Sequence, residues 1–120
     1  MKIPAWVFTD FGLPVKDRTF SCDAIIKREG RGVNRPGGRG GVPIINNLET
    51  QHWFYFLAVS YINVGCEAFH LGQVTLVGAD DRDLKEYSEF LAKVRAYAKA
   101  HARRRLVLMD GHVPTGGLES

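Results

Sequence analysis

Two apolar runs, Gly65-Cys66-Glu67-Ala68-Phe69-His70 and Leu106-Val107-Leu108-Met109-Asp110, flank a long amphipathic segment from Asp81 to Arg105. Their order decides the fold. A hairpin has no room for some twenty helical residues between its strands, so the pattern reads as strand, crossover helix and parallel strand. Both strands then finish at one edge of a sheet, which groups Glu67, His70 and Gln73 with Asp110 and His112. In parallel α/β folds the carboxyl edge is where ligands bind, so the site is expected there.

The segment Leu48 to Asn63 (LETQHWFYFLAVSYIN) precedes this unit and is apolar on nearly every side. Such a helix must be buried, or packed on another subunit or on a missing part of the fold. Asn46 or Asn47 is expected to cap it, Glu49 suits its positive end, and Gly65 suits its stop. The preceding Val42-Pro-Ile-Ile reads as a short buried strand. After His70 the strand runs into Leu71-Gly-Gln, and Val74 to Val77 are read either as its continuation after a Gly72 kink or as a separate extended piece. On the crossover helix, Leu84, Tyr87, Leu91, Val94, Ala98 and His101 form an apolar stripe widened by Phe90 and Tyr97, which makes His101 structural. Lys85, Glu86, Glu89, Lys93 and Lys99 occupy the opposite face. Asp80 or Asp81 is expected to cap its start, and Arg103, Arg104 and Arg105 complement the negative end of its dipole.

Nearer the N-terminus, Ala5-Trp-Val-Phe-Thr is aromatic and β-branched and runs into Asp10-Phe-Gly-Leu-Pro, a strand followed by a turn. Asp10 then sits at a strand end, either as a turn residue or as a site carboxylate on the rim of Glu67. Residues 28–41 are dense in Gly and Arg and bring too little apolar surface to offset chain entropy, so a mobile loop is expected. It is read as a possible lid, with Arg31, Arg35 and Arg39 open to an anionic ligand. RGG-like binding of single-stranded nucleic acid ranks below that, because the motif does not repeat and lacks interleaved aromatics.

The chain has 120 residues, 45% of them apolar, which suits a single α/β domain over residues 1–120. Sixteen basic and 13 acidic residues give a formal charge of +3, which permits nucleic-acid contact without demanding it. Cys22 and Cys66 show no zinc-finger spacing, and Cys66 reads as a buried small hydrophobe in its strand. The apolar run near the N-terminus is very short and broken by Pro4, so neither a signal peptide nor a membrane span is expected there. A cytoplasmic protein with no membrane partner is expected, or one of unknown location if the chain is a fragment of a secreted protein.

The strand tips, Asp10, Asn46, Asn47, Glu67, His70, Gln73, Asp110 and His112, repeat one design of apolar run and polar end. Glu67 and Asp110 suit an acid and base, or acid and nucleophile, pair for glycoside hydrolysis, with Asp10, Asn46, Asn47, His70, Gln73 and His112 binding a carbohydrate substrate. No metal or other cofactor is needed for that chemistry. The alternatives are a metal-dependent hydrolase using a divalent ion at the mixed His and carboxylate set, and a non-catalytic nucleic-acid-binding module using the Gly/Arg-rich loop. The glycine-rich turn after Asp110 has no helix behind it and is not read as a phosphate loop.

Glu67, His70, Gly72 and Gln73 after one strand, an amphipathic helix, then Asp110, His112 and Pro114 after the next, resemble consecutive units of a (β/α)₈ barrel of the glycoside hydrolase type over residues 42–117. The resemblance implies catalytic carboxylates at strand ends, Glu67 first and Asp110 as its partner or a substrate ligand. A full barrel needs about 200 residues or more. The chain is therefore expected to be a fragment of a larger barrel, a half-barrel completed by a homo-oligomer, or a small open sheet with helices packed on it.

Overall fold

The computed structural model describes residues 1–26 and 41–112. Their elements, in chain order, are α1 (Ala5–Asp10), α2 (Cys22–Ile25), α3 (Leu48–Asn63), β1 (Ala68–Gln73), α4 (Val74–Val77), α5 (Lys85–His101) and β2 (Leu108–His112). The Gly/Arg-rich loop expected at 28–41 falls, apart from Gly41, outside the described residues, as does Pro114.

The parallel crossover is present. β1 pairs with β2 in parallel, with Ala68 opposite Leu108, Phe69 opposite Met109, His70 opposite Asp110 and Gln73 opposite His112. The architecture is thus α/β with a small parallel sheet. Among the described residues the sheet has two strands, so the further strands of a barrel are not seen.

Glycine decides where α1 and α3 stop, and it moves the first strand. At the end of α3 Gly65 takes φ 100°, its N–H reaches Ile62 O at 3.0 Å, and the Cys66 N–H reaches Tyr61 O at 3.0 Å. This is a Schellman closure. It holds residues 64–66 on the helix end, so pairing starts at Ala68 rather than Gly65, and Cys66 is exposed rather than buried in a strand. At its far end β1 meets Gly72 (φ 70°) and a register irregularity. Val74 to Val77 then coil into α4, correcting both extended readings of that stretch.

The N-terminal strand is also corrected. Residues 5–10 form a helix entered through Pro4, whose fixed φ suits a helix start. Its stop repeats the α3 device: Gly12 sits at φ 68°, the Gly12 N–H binds Thr9 O at 3.0 Å and the Leu13 N–H binds Phe8 O at 2.9 Å. The Phe-Gly-Leu signal therefore closes a helix rather than turning a strand. The expected strand at 42–45 is likewise reduced to an isolated antiparallel bridge between Ile26 and Pro43.

α3 is central, and its all-round apolarity has three causes. Tyr55, Val59 and Ile62 join Tyr87, Phe90, Val94 and Ala98 of α5 in the main core. Trp53 and Phe56 meet Phe20, at ring distances of 4.9 and 5.5 Å, and Phe56 also stacks on Trp6. The third side faces the hollow described below. α5 begins at Lys85 with Leu84 (φ 52°) as its N-cap in place of the expected Asp80 or Asp81, but Asp81 still reaches its first turn. Its buried carboxylate accepts the N–H groups of Glu86 at 3.2 Å and Tyr87 at 2.9 Å. His101, expected on the apolar stripe, is exposed and stacks on Tyr97 at 4.3 Å.

Candidate functional site

Parallel register brings part of the expected site together. His70 and Asp110 face each other across the two strands, with Nδ1 3.0 Å from Asp110 Oδ1. An ionised carboxylate accepts only, so Asp110 favours the Nδ1–H form of the imidazole and leaves Nε2 as its other hydrogen-bonding atom. Both side chains are mostly exposed, which limits the strength of the pair and makes it a positioning contact. Gln73 and His112 are opposite one another in the register, and His112 is exposed.

Glu67 is not part of this group. Because pairing starts at Ala68, Glu67 precedes β1 and lies at the amino edge of the ribbon, the reverse of the expected carboxyl edge. There its Oε2 accepts the Arg104 N–H at 2.8 Å and its Oε1 lies 3.1 Å from Arg104 Nε. Its carbonyl accepts the Leu108 N–H at 2.8 Å. Arg104, expected to complement the helix dipole, ties the α5–β2 turn to the residue before β1.

The other expected residues are dispersed. Asp10 ends α1, where its carboxylate accepts the Tyr55 hydroxyl at 2.6 Å and its carbonyl accepts Lys93 Nζ at 2.9 Å. Asn46 donates from Nδ2 to Asp80 O at 3.2 Å. Asn47 is the N-cap of α3 but makes no side-chain capping bond. No group of three or more His, Cys, Asp or Glu suited to a metal ion occurs among the described residues.

What sequence reasoning missed is apolar. A hollow of about 370 Å³ lies between α3, α5 and the ribbon. Phe54, Leu57, Ala58 and Tyr61 line it from α3 at helical spacing, Phe90 and Val94 from α5, and Phe69, Leu71 and Met109 from the strands. His70 and Cys66 also line it. The volume lies at the small end of the range for ligand sites, about 300–1,000 Å³. The signal in the sequence was the excess of apolar residues on α3, beyond what one neighbouring helix could cover.

A second missed feature is a buried ionic clamp that docks the N-terminal segment. Glu49, 8% exposed, takes Arg18 Nη1 at 2.9 Å, Arg18 Nη2 at 2.8 Å and the Ser21 N–H at 2.8 Å. Burial pushes its carboxyl up, but the guanidinium and the Ser21 N–H outweigh it and hold Glu49 below the usual carboxylate range. Beside it His52 is 1% exposed, edge-on to Phe11 at 4.5 Å and Phe8 at 5.8 Å, with Nδ1 4.0 Å from Glu49 Oε2. Burial lowers its basicity and Arg18 adds to that, against the opposing pull of Glu49, so it is neutral near pH 7.

No family model matches the chain, and no significant match is found among curated proteins or solved structures.

Proposed function

We propose that this chain is a binding module whose hollow takes a small amphipathic molecule, its apolar body between α3, α5 and the ribbon and its polar end at His70. The single observation behind this reading is an apolar hollow with one imidazole on its lining, whose Nδ1 lies 3.0 Å from Asp110 Oδ1. Apolar walls provide affinity, and a few placed polar groups provide orientation.

The glycoside hydrolase expectation ranks second. A carboxylate-pair reaction needs two carboxyl groups flanking one bond, about 5–9.5 Å apart. Glu67 is engaged with Arg104 at the amino edge, while Asp110 holds His70 further along the strands. The partial (β/α)₈ barrel and the small open sheet are two ways of extending the observed strand pair, and the binding reading needs neither.

The test is a fluorescence titration with anilinonaphthalene sulfonate, competed by decanoate. Saturable binding at one site per chain is expected, weakened at least about tenfold by Ala68→Phe, because Ala68 also lines the hollow, at the exposed start of β1, and the substitution places a ring into it. Binding that Ala68→Phe leaves unchanged in a variant with unchanged melting would refute the reading.

A further inference from the structure

Between Phe90 and Met109 the sequence holds Lys93, Arg95, Lys99, Arg103, Arg104 and Arg105 and no acidic residue. The last four lie in the final turn of α5 and the turn that leads to β2. Residues 103–106 of that turn are all exposed, between buried Ala102 and Val107. Through Glu67 the turn is bound to the connection between α3 and β1, and the same contact neutralises the acidic residue of this end.

The same two connections, with the last turn of α3 and the first residue of β2 beside them, carry bare apolar side chains. Val64 is 78% exposed, Leu108 67%, and Tyr61 and Leu106 51% each. Among the described residues, the other large apolar side chains left this exposed, Met1, Val15 and Leu48, lie in other parts of the chain. Apolar tips among arginines are a specific combination. The phosphates of a nucleic acid would engage the arginines but offer aliphatic groups nothing to bury, whereas an anionic bilayer takes both, arginine in the headgroup layer and aliphatics just beneath.

We infer that this end of the molecule, the α3–β1 and α5–β2 connections, docks peripherally onto an anionic lipid surface. The contact needs no spanning segment, and no helix among the described residues is long and apolar enough to cross a membrane. It departs from the expectation of no membrane partner, which rested on spans alone. Tyr61 apart, it uses different residues from the hollow and does not depend on the hollow being filled.

The experiment is co-sedimentation of the full chain with vesicles of phosphatidylcholine alone, or of phosphatidylcholine and phosphatidylserine in equal parts. Binding to the phosphatidylserine vesicles is expected, falling as salt shortens the screening length. Arg103→Gln with Arg105→Gln should weaken it about 30-fold, on the usual contribution of each arginine near an anionic surface. Leu106→Ser with Leu108→Ser should weaken it at unchanged salt dependence, and Lys85→Gln, at the opposite end of α5, should leave it intact. Equal binding to both vesicle types would overturn the inference. So would an effect of Lys85→Gln as large as that of the arginine pair, or displacement of the protein by single-stranded RNA with the serine pair having no effect.

Discussion

Replacing Glu49 by Gln tests the clamp that fastens the N-terminal segment to α3. The glutamine keeps the shape of the side chain but loses the charge, and one of its two former acceptors becomes an NH₂ facing the donors of Arg18 or Ser21. Hydrogen bonds to charged groups contribute about 1.5–3 kcal/mol each, and breaking a fully buried ion pair costs about 3–5 kcal/mol. Arg18 is 37% exposed at its side chain and regains water when released, so the buried limit does not apply. The expected loss is about 2–3 kcal/mol, which for a chain of this size lowers Tm by about 10 °C. Trp6 and Trp53 report on this region directly, since they pack on Phe56 and Phe20. Denaturant unfolding followed by their fluorescence measures the change. Because the fold holds the Glu49 pKa down, its contribution is present above the unfolded value of 4.5 and is lost as pH falls below it. The wild-type advantage over Glu49→Gln should therefore shrink in that acid range. A difference below about 0.5 kcal/mol at pH 7, or one that does not shrink in acid, would refute the clamp.

Three further outcomes follow from buried groups and close approaches. His52 is neutral in the fold and its pKa is lowered, so stability falls as pH drops below the unfolded value of 6.5; His52→Leu should flatten that slope in urea titrations between pH 7 and 5. Burial, with Asp81 adding to it, pushes the Tyr87 hydroxyl up to about 12. Its contribution is complete below pH 10 and lost as pH rises towards 12, and Tyr87→Phe should remove this alkaline loss at little cost near pH 7, because the buried hydroxyl has no hydrogen-bond partner among the described residues. A Cβ on Gly111 would collide with Val74 Cγ2, so Gly111→Ala forces the Val74 side chain to turn or α4 to shift. The expected cost is about 1–3 kcal/mol by chemical denaturation, largely relieved by Val74→Ala in the same chain.

The crossover was legible because its signals are long-range and redundant: two apolar runs, a seventeen-residue helix between them with a clear stripe, and no room for a hairpin. The N-terminus misled because Trp6, Val7 and Phe8 favour strands locally, while Pro4 and Gly12 set a short helix that buries Val7 and Phe8. The site was half legible. Register follows from parallel pairing and brings His70 to Asp110, but a delay of three residues in the start of β1, imposed by the Gly65 closure, moves Glu67 to the other edge. The hollow was visible only as surplus apolarity on α3, since a concavity depends on how far the ribbon stands from the helices. The Arg18–Glu49 clamp joins residues 31 apart with no local signature at all.

The most direct test of the central claim is a map of amide and methyl NMR shifts as decanoate is added to the full chain. The account predicts saturable changes concentrated at Ala58, Phe69, His70, Leu71 and Met109, with Glu49 and His52 unmoved. Changes centred on the Arg18–Glu49 region, or no saturable change at the hollow, would contradict it.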